Sequence, residues 1–401
     1  MKTLGVQRSP QRPRIGIDLH VVDGIFQGSR THCLELFSRV IALTPECDFF
    51  LLSSDPQTLL STSDSFGLPH VVHVPMPKMP APARLLWQLP QVVRRWGISL
   101  LHTQYISPPL PFCATAVTVH DILFESHKDY FEKAFVLRSR LLVPYSARHS
   151  AAVFTVSEFS RKQICDAYSI PLEKVHTIPN GVDHERFFPG VAGRDTVRGL
   201  GIDQAFFLTV GRLEPRKNHS TLLRAWAQLR SPRPLLVIVG QRHFSYHDVF
   251  DLIGTLQIEQ DVLVLEEVPD IALPSIYRNA KGFIYCSWAE GFGMPVLEAM
   301  ASGIPVISSS TTALPEVCGD AALQVDPGSP DEIGHAVQTL EERADLRDTM
   351  VRSGLLRAKE FTWDKPAQKV RNIYLQHFGL STIRCEVEGF ARQTSHTNQG
   401  R

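Results

Sequence analysis

Short apolar runs alternate with longer amphipathic stretches along most of this chain. In its first half, the runs rich in apolar and β-branched residues span positions 15–19, 49–53, 70–74, 100–103, 116–120 and 152–156. In its second half, they span positions 206–210, 235–239, 262–265, 282–286 and 305–308. Helical periodicity fills several intervals, at positions 29–43, 131–149, 220–229, 248–256, 273–280 and 295–302. This alternation predicts an α/β protein built from two doubly wound, Rossmann-like domains with parallel sheets.

The length of the chain also favours two domains, because 401 residues exceed the size at which a single hydrophobic core usually stops growing. The stretch 189–201 is rich in glycine and charge and lacks an apolar period, so it is the predicted linker. The predicted organisation is a flexible N-terminus at 1–13, an N-terminal domain at 14–190, a C-terminal domain at 191–362, a helix at 363–380 and a polar tail at 381–401.

Charge and cysteine content exclude several classes of partner. Lys and Arg together number 41, as do Asp and Glu, so no global field draws the protein onto nucleic acid. The 7 cysteines are scattered and form no close pair, which predicts reduced thiols without a disulfide framework or a zinc site. The N-terminal residues lack the apolar run of a secretory signal, and no apolar run reaches the roughly 20 residues of a membrane span. We therefore expect a cytoplasmic protein.

One segment has the character of an interfacial helix. Residues 83–96 combine leucine, valine and tryptophan side chains with Arg84, Arg94 and Arg95, although Pro90 interrupts the pattern. Because amphipathic helices usually bury their apolar face in their own domain, we favour ordinary packing for this segment. Contact with a membrane surface is the alternative.

The stretch 285–306 places Glu290 and Glu298 on either side of a glycine turn that enters a helix. Gly291 and Gly293 allow close approaches that a Cβ would obstruct, and Pro295 suits the first helical position. The free N–H groups and the dipole of such a helix start attract phosphate or hydroxyl oxygens, while carboxylates accept hydrogen bonds from hydroxyl groups. The alternative is that Glu298 merely caps the helix from its first turn and that Glu290 is a solvated loop residue.

Three basic residues follow the predicted strand at 206–210. Arg212, Arg216 and Lys217 lie at its carboxyl end, where they would neutralise a diphosphate. Taken alone, three basic residues in one loop would more often form a solvated surface. We expect Arg216 to be solvent-facing or a structural neighbour of the other two.

Two further features follow predicted strands. His120 and Asp121 lie at the end of the run 116–120, where we expect Asp121 to orient the turn. Gly24 and Gly28 lie in the loop after the first predicted strand. Their spacing is not G-x-G-x-x-G, so a nicotinamide dinucleotide site is poorly supported.

The sequence E-G-F-G-M-P-V-L-E-A-M-A-S-G-I-P-V, which begins at Glu290, resembles the motif of the family 4 retaining glycosyltransferases. The family's G-R-x-x-x-x-K pattern matches Arg212 and Lys217, and the resemblance covers residues 14–378. It implies the GT-B fold, in which two Rossmann-like domains face a cleft and the last helix crosses back to the first domain. It also implies that the N-terminal domain, 14–190, binds the acceptor and that the C-terminal domain, 191–362, binds the nucleotide sugar. The resemblance assigns catalytic roles to His120, Arg212, Lys217 and Glu290. The residues implied in donor binding are Gly28, Gly291, Phe292, Gly293 and Glu298.

The resemblance also implies a division of labour among these side chains. Glu298 would bind the ribose of a nucleoside-diphosphate sugar, and Arg212 with Lys217 would bind its diphosphate. Glu290 and the amides of the glycine turn would bind the sugar, one of whose hydroxyl groups His120 would hold. The glycine loop that contains Gly28 would lie close to the diphosphate and the acceptor.

Together with this resemblance, these residues predict a metal-independent glycosyltransferase. The resemblance alone implies that transfer is retaining and that a hexose, with mannose preferred, is moved to a glycan or lipid-linked acceptor in surface polysaccharide synthesis. The chain contains no D-x-D sequence, so cations and a helix start rather than a divalent ion would supply positive charge. Neither a metal nor another cofactor is then required. Contact with the cytoplasmic face of the inner membrane is an alternative to a wholly cytoplasmic location. A sugar-nucleotide epimerase and a non-catalytic GT-B binding protein are alternative functions, and the donor, the acceptor and the oligomeric state stay open.

Overall fold

The computed structural model describes residues 12–23, 28–243 and 247–380. The predicted N-terminus up to residue 11, the loop glycine Gly24 and the polar tail 381–401 lie outside the described residues. Contacts divide the chain into two units, one formed by Met1–Ala116 with Trp363–Arg401 and the other by Val117–Thr362. The domain boundaries expected from the sequence stay a prediction.

Seven strands form the first sheet. They are β1 Arg14–Asp18, β2 Asp48–Ser53, β3 Val71–Pro75, β4 Leu100–Gln104, β5 Ala114–Thr118, β6 Ala152–Thr155 and β7 Val175–Thr177. Their order is β3-β2-β1-β4-β5-β6-β7, and β1 pairs in parallel with both β2 and β4. The order reverses between β1 and β4, because the chain runs outward to β3 and then returns to the other side of β1.

Six strands form the second sheet, which lies wholly in the unit Val117–Thr362. They are β8 Phe206–Val210, β9 Leu235–Val239, β10 Val262–Leu265, β11 Gly282–Tyr285, β12 Val306–Ser309 and β13 Leu323–Val325. Their order is β10-β9-β8-β11-β12-β13, with every neighbouring pair parallel. Here the order reverses between β8 and β11.

Helices occupy most of the connections between strands. Those of the first half are α1 Gly28–Leu43, α2 Pro56–Thr62, α3 Ala81–Ala83, α4 Leu89–Trp96, α5 Leu123–Ser126, α6 Lys133–His149, α7 Glu158–Tyr168 and α8 Arg194–Gly199. Those of the second half are α9 His219–Gln228, α10 His247–Leu256, α11 Leu273–Asn279, α12 Met294–Ala301, α13 Leu314–Cys318, α14 Pro330–Glu342, α15 Ala344–Lys359 and α16 Asp364–His377. A π-helical turn, Arg84–Gln88, joins α3 to α4.

The architecture confirms the predicted α/β class with two doubly wound parallel sheets. The central strands are apolar throughout because helices cover both faces, and β9 is buried at all 5 of its positions. The strands β7 and β13, with 3 residues each, were not predicted because so short a segment shows no apolar run. The predicted linker 189–201 contains α8, whose single buried side chain, Val197, is too little to produce a period.

The last helix, α16, packs along α1 within the unit that begins the chain. Arg371 donates from Nε to the Leu43 carbonyl at 2.7 Å and from Nη2 to Glu46 Oε1 at 2.8 Å, at the end of α1. The Tyr374 hydroxyl group and His102 on β4 form a buried hydrogen bond. Residues from the two ends of the chain therefore share one core.

The segment 83–96 buries one face and exposes part of the other. Leu85, Leu89 and Val93 belong to a buried cluster with residues of β2 and β4, as the favoured interpretation predicts. Leu86 and Trp87, however, are 65% and 54% exposed. Apolar side chains therefore remain on the surface of this segment.

A close backbone approach fixes the loop that follows β8. Gly240, directly after β9, lies so near this loop that a Cβ on it would be 1.9 Å from the Gly211 carbonyl oxygen. No side-chain rotation relieves such an overlap, because both partners are backbone atoms. Only glycine therefore fits at position 240 in this arrangement.

Replacing Gly240 by alanine should lower the free energy of unfolding by about 3 kcal/mol or more, since the backbone of the loop must move. Gly254→Ala in α10 is a suitable control, because its Cβ would meet nothing nearer than Glu259 Oε1 at 3.9 Å. There the loss of backbone freedom in the unfolded chain should raise stability by about 0.5–1 kcal/mol. Chemical denaturation measures both changes, and equal stability of the two variants would contradict the close approach.

Candidate active site

The carboxyl ends of β8 and β11 lie side by side where the order of the second sheet reverses. In open α/β sheets, ligands bind in the crevice outside the strand ends at such a reversal. The loops that leave these two strands contain most of the residues predicted to act on a ligand. These residues are Arg212, Lys217, Glu290, Phe292 and the two glycines Gly291 and Gly293.

Asn218 holds the loop after β8 in place. Residues Pro215–Lys217 form a 3-10 turn, and Asn218 follows in the left-handed region with φ of +59°. Its side-chain amide donates to the carbonyl groups of Cys286 at 2.9 Å and Pro327 at 2.7 Å. Its Oδ1 accepts from the Thr221 hydroxyl group at 2.6 Å, in the first turn of α9. These bonds tie the basic loop to the segment that follows β11.

Lys217 reaches a carboxylate and a phenol at the end of β11. Its Nζ donates to Glu290 Oε1 at 2.8 Å and to Tyr285 Oη at 2.7 Å. The Tyr285 hydroxyl group in turn donates to the same Glu290 oxygen at 3.0 Å. With only 9% of its side chain exposed, Glu290 is not a solvated loop residue. An ammonium group has three N–H donors, so Lys217 can still donate one to a ligand oxygen.

Arg216 is a structural neighbour of the other two basic residues, which is one of its two expected roles. The other expectation, that it faces solvent, is wrong. Just 12% of its side chain is exposed. Nη1 contacts Glu290 Oε2 at 2.8 Å and donates to the Ala289 carbonyl at 2.7 Å, while Nη2 donates to Glu214 Oε1 at 2.7 Å. A buried carboxylate needs compensation at both oxygens, and Arg216 provides it for the oxygen that Lys217 does not reach.

Glu214 is a second buried carboxylate, which the sequence analysis did not single out. It is 8% exposed and joins three basic side chains. Arg212 Nη2 lies 3.1 Å from its Oε2, His243 Nδ1 lies 3.2 Å from the same atom, and Arg216 holds the other oxygen. The available signal was its position, a lone acidic residue between Arg212 and Arg216.

Pairing keeps these carboxylates ionised. Burial alone would raise the pKa of Glu290, but Arg216 and Lys217 outweigh it and hold this pKa at about 2. Burial would likewise raise the pKa of Glu214, yet its basic neighbours keep it below the usual value. Burial lowers the pKa of Lys217, and the negative charge of Glu290 opposes this shift. Arg212, Arg216 and Lys217 therefore pair with Glu214 and Glu290, and Arg212 is the most accessible of the three cations, at 27% exposed. It can bind an anion.

The turn after β11 requires glycine at positions 291 and 293. The Gly291 carbonyl accepts from the Ser157 hydroxyl group at 2.7 Å, and a Cβ on Gly291 would lie 2.7 Å from Asp121 Oδ2. Gly293 has φ of +108° and directly precedes α12. Pro295 is the second residue of α12 rather than the first, a position that also lacks a helical N–H partner.

The turn after β5 packs against this glycine turn. His120 is 8% exposed, and its backbone carbonyl accepts from Thr155 Oγ1 at 3.2 Å. Asp121 Oδ1 accepts from the Leu123 amide at 3.1 Å, which confirms its predicted part in shaping the turn. Burial raises the pKa of Asp121, although Arg216 acts in the opposite direction. The pair His120–Asp121 thus lies within reach of the loop that carries the ion cluster.

Glu298 occupies a different environment from Glu290. It is the fifth residue of α12, beyond the first turn, so the alternative of a helix-capping role is wrong. The Tyr277 hydroxyl group donates to its Oε2 at 2.9 Å. Burial raises its pKa to about 7, with the Tyr277 hydrogen bond and Arg186 limiting the rise. The rings of Tyr277, Phe283 and Tyr285 follow one another at centroid distances of 5.4 and 5.8 Å, which connects Glu298 to the phenol beside Lys217.

Two predicted residues stand apart from this arrangement. The Phe292 side chain is 5% exposed and packs edge to face on Phe361, with ring centroids 5.9 Å apart, so it belongs to the core. Gly28 is the exposed first residue of α1 and belongs to the other unit. The ligand contacts expected of both residues stay predictions.

Residues 12–23, 28–243 and 247–380 contain neither a candidate metal centre nor a candidate membrane-spanning helix. There, no three or more His, Cys, Asp or Glu side chains are grouped in a way that could hold a metal ion. No helix within that part is both long enough and apolar enough to cross a bilayer.

Two family models match the chain and together contain the predicted site. A model described as Glycosyltransferase Family 4 matches residues 26–186, a range that contains Gly28 and His120. A model described as Glycosyl transferases group 1 matches residues 196–356, a range that contains Arg212, Glu290 and Glu298.

Curated relatives carry glycosyltransferase names. O-antigen chain mannosyltransferase B of Escherichia coli is 31% identical over 307 residues, which cover 73% of this chain and 77% of that protein. D-inositol 3-phosphate glycosyltransferase of Acidothermus cellulolyticus is 29% identical, with coverage of 70% of this chain and 62% of that protein. O-antigen chain mannosyltransferase RfbU of Salmonella typhimurium is 28% identical, with coverage of 57% and 61%.

Solved structures share the fold across almost the whole chain. Sucrose-phosphate synthase from Thermosynechococcus elongatus superimposes with a TM-score of 0.74 at 19% identity, covering 92% of this chain and 100% of that chain. HepE from Anabaena, in complex with UDP and glucose, gives a TM-score of 0.73 at 18% identity, with coverage of 91% and 100%. WaaG, a glycosyltransferase involved in lipopolysaccharide biosynthesis, superimposes with a TM-score of 0.70 at 15% identity, covering 90% of this chain and 99% of that chain. Fold, sequence match and motif agree, and the chain belongs to the family 4 glycosyltransferases, as an enzyme with the GT-B fold.

Proposed function

We propose that this enzyme transfers a mannosyl group from a nucleoside-diphosphate mannose to a glycan or lipid-linked acceptor of the O-antigen type. We further propose that transfer retains the anomeric configuration and needs no metal ion. The names of two relatives, both O-antigen chain mannosyltransferases, support mannose and this class of acceptor. The UDP and glucose in the HepE structure support a nucleotide-sugar donor. Membership of a transferase family makes the epimerase and the non-catalytic binding protein the weaker alternatives.

The observation that carries this proposal is the pair of cations with donors left for a ligand at the reversal between β8 and β11. Arg212 is the most accessible cation there, and Lys217 still has an N–H donor to offer. Both side chains can donate to the oxygens of a diphosphate. Arg216 takes a different part, because its guanidinium is already used by Glu214 and Glu290 and serves to hold the carboxylates in place.

The remaining side chains suit the other parts of the donor. Glu290 stays ionised, so its oxygens can accept hydrogen bonds from sugar hydroxyl groups in addition to those from Lys217 and Arg216. Glu298 has a similar role for the ribose, at the far end of the aromatic row. His120 is assigned to a hydroxyl group of the donor sugar, on the strength of the family motif and its place beside the glycine turn.

The proposed reaction proceeds on one face of the sugar. The bond between the anomeric carbon and the diphosphate oxygen breaks as the acceptor oxygen forms its bond from the same side, and the acceptor proton passes to the departing phosphate oxygen. Negative charge accumulates on the nucleoside diphosphate as it departs. Arg212 and Lys217 face that charge in a largely enclosed site, where electrostatic stabilisation acts more strongly than in water.

Replacing Lys217 or Arg212 by alanine should lower kcat by about a hundredfold or more, because each stabilises charge that develops only in the transition state. A panel of UDP-, GDP- and ADP-sugars, assayed for nucleotide release with and without a mannoside acceptor, provides the measurement. Acceptor-dependent release should be fastest with a mannosyl donor, should persist in EDTA and should give a product whose anomeric proton shows retention.

Arg224→Ala is a matched control for these variants, since Arg224 is an exposed arginine on the adjacent helix α9. It should leave kcat unchanged. Normal turnover of Lys217→Ala would dismiss the role of Lys217 in stabilising the leaving group. Release that is lost in EDTA and restored by Mg²⁺ would contradict metal independence, and preference for another sugar would contradict mannosyl transfer.

Burial raises the pKa of Glu298 to about 7, so nucleotide binding should depend on pH. Below this pH the carboxyl group is protonated and accepts fewer hydrogen bonds from ribose, so nucleotide affinity should be about three- to tenfold weaker at pH 6 than at pH 8. Calorimetric titration with the free nucleoside diphosphate measures this dependence. Glu298→Gln should remove it, and comparison of the two proteins at each pH cancels titration of the ligand's own phosphate. Identical pH profiles would refute a ribose contact.

We also propose that the enzyme works in the cytoplasm and contacts an anionic membrane surface through Leu86 and Trp87, close to Arg94 and Arg95. Vesicles that contain phosphatidylglycerol should bind the protein, whereas vesicles of phosphatidylcholine alone should not. Trp87→Ser should weaken flotation with the anionic vesicles at least several-fold. Ile271→Ser removes an equally isolated apolar side chain, 88% exposed, and should have no effect. Equal flotation of both variants would exclude this surface.

A further inference from the structure

The first sheet also reverses its strand order, between β1 and β4, at the start of the chain. Both strands belong to the unit that contains Met1–Ala116. Since ligands bind outside the carboxyl ends of parallel strands at such a reversal, this end of β1 is a second place where a ligand is expected. The polar side chains that lie there are Asp18, His20 and Arg84.

Asp18, the last residue of β1, organises the other two. It is 1% exposed, and both of its oxygens are used. Oδ1 accepts from His20 Nδ1 at 3.1 Å and from the His20 backbone amide at 3.3 Å. Oδ2 pairs with Arg84 Nη1. Burial would raise the pKa of Asp18, but the neighbouring His20 and Arg84 lower it well below its usual range, so the carboxylate is charged.

The bond to Asp18 determines how the His20 ring presents its other nitrogen. A carboxylate only accepts, so Nδ1 carries the proton. Arg84 Nη2 lies 3.4 Å from Nε2, and a guanidinium group only donates, so Nε2 is the acceptor in this contact. In this tautomer the single lone pair of Nε2 faces Arg84 Nη2 only across this long contact. Because 38% of the His20 side chain is exposed, a ligand hydroxyl group can take over the contact as the donor to Nε2.

Arg84 owes its position to an irregular helix. It begins the π-helical turn Arg84–Gln88, in which Leu85 turns into the core while Leu86 remains exposed. Such turns are rare and frequently occur at functional sites. The turn leaves the Arg84 guanidinium largely covered, at 13% exposed, and held by Asp18. Arg84 is therefore not a flexible surface group.

His20 Nε2 and Arg84 Nη2 together form an acceptor beside a donor. A hydroxyl group needs both, because it donates one hydrogen bond and accepts others. Two atoms 3.4 Å apart can each lie about 2.8 Å from one hydroxyl oxygen, which is the usual length of such bonds. A phosphate group would match this pair less well, because the lone pair of Nε2 would repel a phosphate oxygen.

We propose that His20 and Arg84, held by Asp18, bind a hydroxyl group of the sugar acceptor. The inference rests on the proposed function, since a transferase needs a second substrate and the residues assigned to the donor diphosphate and sugar lie in the unit Val117–Thr362. The reversal between β1 and β4 is the corresponding place in the other unit. His20 and Arg84 contact the substrate in this site, and Asp18 is a positioning residue that fixes the imidazole tautomer.

Two substitutions at His20 separate substrate binding from a purely structural role. In His20→Asn, the side-chain amide nitrogen takes the place of Nδ1 and keeps the bond to Asp18, but the group at the position of Nε2 is lost. In His20→Gln, the side-chain carboxamide reaches the position of Nε2 and can still accept from a hydroxyl group. If His20 binds the acceptor, Asn should be the more damaging substitution. If His20 only supports Asp18, His20→Gln should be the more damaging substitution.

The expected result is an acceptor KM about five- to tenfold higher in His20→Asn than in the wild type, as for the loss of one hydrogen bond, with His20→Gln close to the wild type. Nucleotide affinity and the slow hydrolysis of the donor without acceptor should be unchanged in both variants. Unaltered acceptor KM in His20→Asn, the reverse order of damage, or an equal loss of nucleotide affinity would overturn the assignment. Thermal unfolding of both variants checks that they are folded.

A direct binding measurement distinguishes failure of this inference from failure of the proposed function. Saturation-transfer NMR with methyl α-mannoside and a synthetic mannosyl disaccharide reports contact with the protein in the absence of any donor. A signal that His20→Asn removes and His20→Gln retains would support the hydroxyl site even if no donor were turned over. A signal unaffected by His20→Asn would overturn the site even if mannosyl transfer were demonstrated.

Discussion

The buried carboxylate of Glu290 is the group on which the site around β8 and β11 depends. Removing a carboxylate from water is costly, and the cost is offset only because Lys217 and Arg216 each meet one of its oxygens. Loss of either cation would leave an uncompensated charge in an enclosed place. The basic loop, the end of β11 and the glycine turn that follows Glu290 are thereby fixed to one another. A ligand that arrives there meets charges already in position, which is the condition for electrostatic stabilisation without reorganisation.

The same construction appears at both reversals of strand order. At each, a nearly inaccessible carboxylate, Asp18 or Glu214, pairs with basic side chains. In the proposed sites, the carboxylate orients the basic groups and the basic groups bind the ligand. The difference is in charge. Beside Glu214 and Glu290, Arg212 and Lys217 have charged donors that suit an anion, whereas His20 and Arg84 provide one acceptor and one donor, which suits a neutral hydroxyl group.

Much of the fold was predictable because burial on both faces makes a parallel strand visible as a continuous apolar run. The runs at 206–210, 235–239 and 262–265 coincide with β8, β9 and β10. The signal disappears where a strand is very short, as in β7. It also disappears where a helix buries a single side chain, as in α8. The starts of the helices that were predicted lie within about two residues of the observed ones, the typical margin for such boundaries. Length alone does not guarantee a signal, because α14 and α15, with 13 and 16 residues, were not predicted.

The chemistry of the site was less predictable, because it depends on pairs formed across the sheet. Arg216 and Lys217 are adjacent in sequence, and spacing alone could not show that both converge on Glu290, since three helices and three strands, α9–α11 and β9–β11, intervene along the chain. The pairing follows from β8 and β11 being neighbours in the sheet. Likewise, nothing local in the sequence marks Arg84 as a partner of Asp18, because the turn that aims it is irregular. The motif identified Glu290, whereas the carboxylates Glu214 and Asp18, which pair with the basic side chains, were recognised only from the folded chain.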